Sequence, residues 1–152
     1  QNFTKIQKAK KDGSAVIVIP VTKDNEVIVT VEPRVFTEKT VGVGFPAGYI
    51  EPGENPIISA SRELREETGF TTDKELIKLD SFYQDEGCSA ALNVIYLALG
   101  CKKTHEQHLD KDEFVECMTF TYDELLELEK MGYIMGGNSK LALHKIEKYL
   151  RK

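Results

Sequence analysis

Residues 48–70 read GYIEPGENPIISASRELREETGF, a turn-rich segment followed by a stretch with helical periodicity. Asn55 is a favourable N-cap, and Pro56 suits the first helical position, where its missing N–H costs nothing. Gly69 suits the position after a helix, where the backbone usually turns left-handed. The pattern therefore predicts a helix that begins at Pro56 and ends just before Gly69.

Three glutamates of this helix, Glu63, Glu66 and Glu67, stand at i, i+3 and i+4 and fall on one stripe. Like charges at this spacing destabilise a helix by about 0.2–0.5 kcal/mol per pair. Such a stripe is either a solvated acidic face, which is the usual case, or a site for a cation. Hard divalent cations such as Mg²⁺ prefer oxygen ligands. From the helix alone, both interpretations stay open.

The spacing around the helix is more specific. Five residues separate Gly48 from Glu54, and seven more separate Glu54 from the run RELREETGF, Arg62 to Phe70. This arrangement resembles the signature of the Nudix hydrolases at every fixed position. The resemblance implies an α/β fold, an α/β/α sandwich around a mixed central sheet. It also implies hydrolysis of a nucleoside diphosphate linked to another group, with Mg²⁺ or Mn²⁺ as cofactor.

On the helix, the resemblance implies three metal ligands, Glu63, Glu66 and Glu67, and counts Glu66 and Arg62 among the catalytic residues. Arg62 would hold the glutamates in place through an i, i+4 pairing with Glu66. Glu54 would support the metal shell, either directly or through a water.

Other site residues follow from one branch of the family. The run FPAGYIE from Phe45 to Glu51 resembles the segment that precedes this motif in ADP-ribose and nucleotide-sugar pyrophosphatases. There, an alanine carbonyl ligates a metal, which here would be Ala47. Gly48 would let the loop turn tightly at the substrate. An arginine after the second strand often meets the substrate in this branch, and Arg34 stands in that place. A surface arginine at a strand end is an equally good interpretation of Arg34.

Two further positions bear on the chemistry. In the same branch, a glutamate before the last strand positions or deprotonates the attacking water. Glu113 is the best match, Asp112 is the alternate, and a solvated acidic loop explains both residues equally well. The branch commonly has Ser-Pro-Gly in an earlier loop, whereas this chain has Asp-Glu-Gly at 85–87. The missing proline argues against ADP-ribose itself, but not against diphosphate hydrolysis.

Composition excludes several other classes. The chain has 152 residues, of which 41% are hydrophobic and 30% charged, as in a single globular domain spanning 1–152. Its longest apolar run, Ala15–Val21, is far shorter than the roughly 20 residues that cross a bilayer, so no membrane partner is expected. A net charge of −5 argues against a nucleic-acid partner. Three widely spaced cysteines indicate reduced thiols of a cytoplasmic protein.

Local patterns predict the remaining elements. Strands are expected at 15–21, 26–32, 41–48 (irregular), 76–83, 91–99 and 113–120. A capping box from Thr121 to Glu124 opens a helix that Gly132 closes, and Asn138 or Ser139 caps a final helix. Residues 1–14 are Lys-rich and are expected to form a frayed lead-in strand or a loose end. The pyrophosphatase branch is often dimeric through N-terminal strands, so a homodimer is possible through this segment.

The sequence thus favours metal-dependent hydrolysis of the pyrophosphate bond in a small nucleoside diphosphate derivative. ADP-ribose or another nucleotide sugar is the favoured substrate, with a nucleoside monophosphate and a phosphorylated sugar as products. Two alternatives remain: a pyrophosphohydrolase acting on (d)NTPs or dinucleoside polyphosphates, and a non-catalytic nucleotide-sensing Nudix domain. Sensors of that kind usually lack glutamates of the motif, all of which are present here.

Overall fold

The computed structural model describes residues 12–34 and 39–151. Within these residues, eight strands form one sheet. The strands are β1 Ala15–Thr22, β2 Val27–Pro33, β3 Val41–Gly44, β4 Ala47–Tyr49, β5 Phe70–Thr71, β6 Ile77–Tyr83, β7 Leu92–Lys103 and β8 Glu116–Phe120. The helices are α1 Pro56–Thr68, α2 Tyr122–Lys130, α3 Gly137–Lys145 and α4 Glu147–Leu150. The expected lead-in strand or loose end lies almost wholly outside the described residues.

The centre of the sheet is a parallel pair, β1 and β7, in which Val16 is opposite Val94. All the other pairings are antiparallel: β1 with β2 and β4, β2 with β3 and β8, and β7 with β5 and β6. The sheet is therefore mixed, as the sequence predicted. β1 is buried from Val16 to Val21 because it lies between partners and is covered on both faces.

Two apolar layers cover opposite faces of the sheet. One layer joins Val16, Val18, Val94 and Tyr96 of the sheet to Ala60 and Leu64 of α1. The other joins Ile17, Ile19, Ile95 and Leu97 of the sheet to Leu125, Leu143 and Ile146 from the C-terminal region. Burying each of these large aliphatic side chains stabilises the fold by about 1.5–3 kcal/mol. The predicted α/β/α sandwich is confirmed.

The ends of α1 match the local sequence. The Asn55 side chain accepts a hydrogen bond from the N–H of Ile57 at 3.1 Å, and Pro56 occupies the first helical position. Gly69 has φ of 77°, and its N–H donates to Arg65 O at 2.8 Å. Because the apolar side of α1 faces β1 and β7, the acidic stripe is left beside β4.

Tertiary pairing changed some of the predicted boundaries. β7 continues to Lys103, beyond the predicted end at residue 99, because its last residues pair with the two-residue strand β5. β8 begins at Glu116 rather than at residue 113.

The prediction for the start of the final helix was wrong. Asn138 and Ser139 lie inside α3, whose N-cap Gly136 makes no side-chain hydrogen bond. Ser139 instead packs against β3, where its Oγ would lie 3.1 Å from a Cβ at Gly44. No helix in the described part of the chain is long and apolar enough to cross a membrane.

Candidate active site

A polar cavity of about 390 Å³ lies between β4, α1 and the loop that precedes β8. It brings together six of the residues predicted from the sequence: Ala47, Gly48, Arg62, Glu63, Glu66 and Glu67. Glu113 from the loop also lines it, whereas Asp112 is not among the lining residues. Glu54 contacts the cavity wall through Arg62 rather than lining it. Arg34 lies elsewhere.

Gly48 lies against the carboxylate of Glu63. A Cβ at this position would lie 2.1 Å from Cδ of Glu63, well inside van der Waals distance. Gly48 belongs to β4, where it is opposite Val16 of β1, so its backbone is held against the core. It therefore lies in a strand rather than in the expected tight turn, and its missing side chain makes room for the Glu63 carboxylate.

Arg62 connects the acidic residues. Its Nε and Nη2 donate to the two carboxylate oxygens of Glu54 at 3.1 and 3.0 Å. Its Nη1 donates to Glu63 at 2.9 Å and to Glu66 at 3.3 Å, and its Nη2 reaches Tyr49 O at 3.4 Å. The planar guanidinium can do this because its five donors lie in a fixed fork. Arg62 therefore holds carboxylates from α1 and from the preceding loop in one arrangement.

Glu54 is the firmest partner of Arg62. Besides the two guanidinium bonds, its Oε1 accepts from the Glu51 N–H at 3.2 Å and from the Ser59 hydroxyl. The Arg62 hydrogen bonds, helped by those from Ser59 and Glu51, lower the pKa of Glu54 to about 2 against the opposing effect of burial. Because its oxygens already accept four hydrogen bonds, Glu54 in this arrangement serves as the anchor of Arg62.

Glu67 is the most buried acid in the cavity, with 5% of its surface exposed. Burial raises its pKa to about 8, and the negative charges of Glu63 and Glu113 add to this effect. The Ala47 N–H, which donates to Glu67 Oε2 at 3.2 Å, opposes it. Burial also raises the pKa of Glu63, although Arg62 opposes this shift. A cation in the cavity would stabilise the ionised form of both carboxylates.

The donor set suits a hard divalent cation. The cavity offers the carboxylates of Glu63, Glu66 and Glu67 and the backbone of Ala47, all of them oxygen donors. Within residues 12–34 and 39–151, no three His, Cys, Asp or Glu side chains converge closely enough to form a ready-made metal site. In this arrangement Glu63 and Glu66 are turned towards Arg62 instead.

Glu113 is oriented by a local turn. Its N–H donates to Asp110 O at 2.9 Å, and its Oε1 accepts from the Asp110 N–H at 2.7 Å. The carboxylate is near enough to the helix for its charge to raise the pKa of Glu63 and of Glu67. The turn thus places a carboxylate across the cavity from the acidic stripe.

The sequence did not identify three other lining residues from the same loop: His108, Leu109 and Asp110. His105, from the same loop, does not line the cavity, and its Nδ1 is hydrogen-bonded to Thr104 Oγ1 at 2.8 Å. His108 reaches the cavity because its backbone N–H donates to Glu66 O at 2.7 Å. Such docking of a loop on a helix leaves no local pattern in the sequence.

Arg34 lines a second cavity of about 510 Å³, between β3 and the segment that joins α2 to α3. Its Nη1 pairs with Glu32 at 3.0 Å. Lys39 and Tyr133 also line this cavity, with Lys39 Nζ 4.9 Å from the centre of the Tyr133 ring. The structure therefore does not bring Arg34 together with the carboxylates.

A groove of about 410 Å³ lies along β2 and the loop that precedes β8. It shares Leu109 and Glu113 with the carboxylate cavity and Val41 with the Arg34 cavity.

Comparison with known proteins identifies the family of the chain. Residues 11–136 match the NUDIX domain model. Over 90% of the chain, it is 35% identical to an ADP-ribose pyrophosphatase of Bacillus subtilis, 74% of which is covered. Over 88% of the chain, it is also 35% identical to a methanol dehydrogenase activator of Bacillus methanolicus, 71% of which is covered.

A solved structure described as an ADP compounds hydrolase matches with a TM-score of 0.78 and 25% identity, covering 91% of this chain and 72% of that one. The resemblance drawn from the sequence is thereby confirmed. The chain belongs to the Nudix family and is a Nudix hydrolase.

Proposed function

We propose that the chain hydrolyses the pyrophosphate bond of a nucleoside diphosphate derivative, with ADP-ribose or another nucleotide sugar as substrate. The products would be a nucleoside monophosphate and a phosphorylated sugar. The observation that carries this proposal is the cavity in which Glu63, Glu66 and Glu67 face Glu113. Burial raises the pKa of Glu67 to about 8, and strongly shifted pKa values cluster at functional sites.

Mg²⁺ or Mn²⁺ is the proposed cofactor, with Glu63, Glu66, Glu67 and the Ala47 carbonyl as ligands. When bound, such an ion neutralises phosphate charge and activates water for attack on phosphorus. Arg62 would keep Glu63 and Glu66 in place, and Glu54 would anchor Arg62 rather than ligate the ion. The absence of a side chain at Gly48 would leave the Glu63 carboxylate and the adjoining phosphate enough room.

Glu113 is the proposed general base. A base must lie within hydrogen-bond reach of the water, either directly or through a second water. The turn with Asp110 orients the Glu113 carboxylate in the cavity wall, opposite the helix that would hold the ion. Asp112 is not among the lining residues, which supports Glu113 over the alternate.

The second cavity is the proposed place for the remote end of the substrate. Arg34 and Lys39 provide positive charge, and Tyr133 provides an aromatic surface for a base or sugar. We propose that the substrate follows the groove past Val41 and Leu109 from this cavity to the carboxylates. Binding energy from this remote end would hold the diphosphate over the acidic stripe.

The absence of the branch's proline from the 85–87 segment is only weak evidence against ADP-ribose as substrate. Residues 85–89 form a turn in which the N–H groups of Cys88 and Ser89 donate to Asp85 O at 3.0 and 2.8 Å. Among the described residues, this turn lines neither the carboxylate cavity nor the Arg34 cavity. The name of the Bacillus subtilis relative also supports ADP-ribose.

The experiment is a cleavage assay on a panel: ADP-ribose, ADP-glucose, GDP-mannose, diadenosine polyphosphates and an oxidised dGTP. Each compound is incubated with Mg²⁺, Mn²⁺ or EDTA. We expect AMP and ribose phosphate from ADP-ribose, and no cleavage in EDTA. Cleavage of another panel member would change the substrate while retaining the chemistry. Equal cleavage by wild type and Glu67→Gln would refute the assignment of the cavity.

A second candidate function is regulation of another enzyme, because one relative of equal identity is named as an activator of a dehydrogenase. In that case the chain would bind a nucleotide and act through a protein partner. Binding of ADP-ribose in a calorimeter, with no cleavage of any panel member, would favour this candidate.

We also propose that residues 1–152 form a single cytoplasmic domain. The two faces of one sheet are covered by α1 and by α2–α4, which come from distant parts of the chain. A homodimer is proposed from the family resemblance alone. Light scattering of the purified chain tests it directly.

A further inference from the structure

The loop between β7 and β8 is tied to the C-terminal end of α1. The N–H groups of Thr104 and His105 donate to Gly69 O at 2.9 and 3.0 Å, and the N–H of His108 donates to Glu66 O at 2.7 Å. The last carbonyls of a helix have no partner within it, so the loop satisfies them. A Cβ at Gly69 would lie 2.1 Å from His105 O, which shows how closely the two backbones approach.

Gln107 adds a side-chain bridge to this backbone attachment. Its Nε2 donates to Glu67 O at 2.8 Å and to Val115 O at 3.3 Å. Both partners are carbonyl oxygens that can only accept, so only the NH₂ end of the amide can face them. One side chain therefore joins the end of the helix to both ends of the segment 107–115.

That segment carries all the loop residues that line the carboxylate cavity: His108, Leu109, Asp110 and Glu113. Inside it, the hydrogen bonds of Glu113 with other described residues are local and run to Asp110. They orient the carboxylate within the loop but do not place the loop on the helix. The distance between Glu113 and the acidic stripe of α1 therefore depends on how the base of the loop is held.

We propose that Gln107 is a positioning residue for the reaction: its amide bridges Glu67 O and Val115 O and thereby holds Glu113 opposite the acidic stripe. Gln107 does not touch the substrate in this scheme and acts only through the loop. The inference rests on the proposed function for the role of Glu113, but the bridge itself can be tested without substrate or metal.

Two substitutions of Gln107 separate the effect of its hydrogen bonds from the effect of its side-chain shape. Gln107→Met keeps the length and the packing and removes both donors. Gln107→Glu keeps the planar shape but turns carboxylate oxygens towards two carbonyl oxygens. The matched control is Gln84→Met, because Gln84 is exposed just after β6 and lines neither cavity.

The first test is native-state hydrogen exchange by NMR, with metal-free protein. In Gln107→Met, we expect the amides of His108 and Glu113 to exchange about tenfold faster or more, since losing two hydrogen bonds lowers the cost of opening the loop. The core amides of Val18 and Ile95 should exchange at wild-type rates. In Gln84→Met, the amides of His108, Glu113, Val18 and Ile95 should all keep their wild-type exchange rates. Unchanged exchange at His108 and Glu113 would overturn the proposal.

The second test is a double-mutant cycle with Glu113→Gln, measured on the best substrate of the panel. Gln107→Met should lower kcat about tenfold and leave KM within twofold, because the loop places the base and not the substrate. In the Glu113→Gln background, the same substitution should have no further effect. If Gln107→Met lowered kcat by the same factor in the wild type and in Glu113→Gln, the proposal would be overturned. A fully active Glu113→Gln enzyme would also overturn it.

Failure of the two proposals can be told apart. If the wild-type chain cleaves no panel member, the proposed function fails, and the exchange rates alone decide whether Gln107 holds the loop. If cleavage is normal and the exchange rates do not change, the function stands and the inference about Gln107 fails.

Discussion

The carboxylate of Glu63 occupies the space that a side chain at position 48 would need: the Cδ atom lies 2.1 Å from where a Cβ of Gly48 would be. Gly48 cannot retreat, because β4 pairs with β1 on the far side. Two residues 15 positions apart in the sequence motif thus meet at one point, and the position of a proposed metal ligand depends on a missing methyl group.

Gly48→Ala should therefore weaken metal binding and catalysis together. The new methyl group displaces the Glu63 carboxylate, and we expect kcat to fall at least about 100-fold, with a measurable loss of Mg²⁺ affinity. Calorimetric titration of Mg²⁺ and steady-state kinetics measure the two effects. Gly137→Ala is the control, because a Cβ there meets nothing within 4 Å. Wild-type Mg²⁺ affinity in Gly48→Ala would contradict the role given to this contact.

Glu67 should make the metal-free protein less stable as pH rises. Its pKa is about 8 in the folded state and 4.5 ordinarily. The folded state therefore favours the neutral carboxyl group. Its contribution to the free energy of unfolding is full below pH 4.5 and is lost as the pH rises to about 8. The loss is on the order of a few kcal/mol.

Urea unfolding in EDTA at pH 5 and pH 8.5 measures this loss, with Glu67→Gln as the comparison. The variant cannot ionise, so it should be more stable than the wild type at pH 8.5 and show a smaller change with pH. Mg²⁺ should restore the stability of the wild type at pH 8.5 but not that of the variant. Parallel pH profiles of the two proteins would refute the pKa assignment.

Arg62→Lys should loosen the acidic cluster, because an ammonium group cannot serve Glu54 and Glu63 in the fork geometry of a guanidinium. We expect kcat to fall about 10–100-fold. The pKa of Glu54 should rise from about 2 towards 4.5. NMR titration of the glutamate side-chain carboxyl carbons measures this pKa, and Arg65→Lys, on the exposed side of α1, is the control. An unchanged Glu54 titration would show that Arg62 is not its main partner.

Glu54 also gives the wild type a defined acid sensitivity. Because its folded pKa lies below its ordinary 4.5, its contribution to stability is present above pH 4.5 and is lost as pH falls from 4.5 to about 2. In Arg62→Lys, this part of the acid unfolding profile should become flatter. Circular dichroism between pH 2 and pH 5 follows it.

Arg34→Ala should affect binding rather than chemistry. If the second cavity holds the remote end of the substrate, KM should rise about tenfold or more, while kcat stays within twofold. The partly exposed ion pair with Glu32 contributes at most about 1 kcal/mol, so unfolding should hardly change. Lys23→Ala, in the β1–β2 turn, is the charge-matched control. An unchanged KM would mean that Arg34 is a surface residue at a strand end.

Helix α1 and its caps could be predicted to the residue, because their causes are local. Asn55, Pro56 and Gly69 act on backbone groups within a turn of their own positions. The same holds for the capping box at Thr121 and Glu124, which forms in both directions. Asn138 is not the cap, because the helix begins two residues earlier than expected, at Gly137, with Gly136 as its N-cap.

Features that depend on distant partners could not be predicted. The strand β5 forms because Phe70 and Thr71 pair with the end of β7. Two residues are too few to show a strand pattern in the sequence. The acidic stripe of α1 was visible from its period, but the bridge made by Gln107 was not, since a glutamine in a polar loop has no pattern. Arg34 stands at the expected place in the sequence, yet its side chain pairs with Glu32 and lines another cavity.

The parallel pair at the centre of the sheet has a consequence for how the chain is made. Ser14, just before β1, accepts a hydrogen bond from the N–H of Leu92 across 78 positions. At about 5–20 residues per second, β1 would leave the ribosome on the order of 4–16 s before its partner. During that interval the run AVIVIPV, a strong β-former, lacks its parallel partner. Pro20 interrupts it, and the register between β1 and β7 shifts beside that proline. We therefore expect Pro20 to limit self-association of the nascent strand.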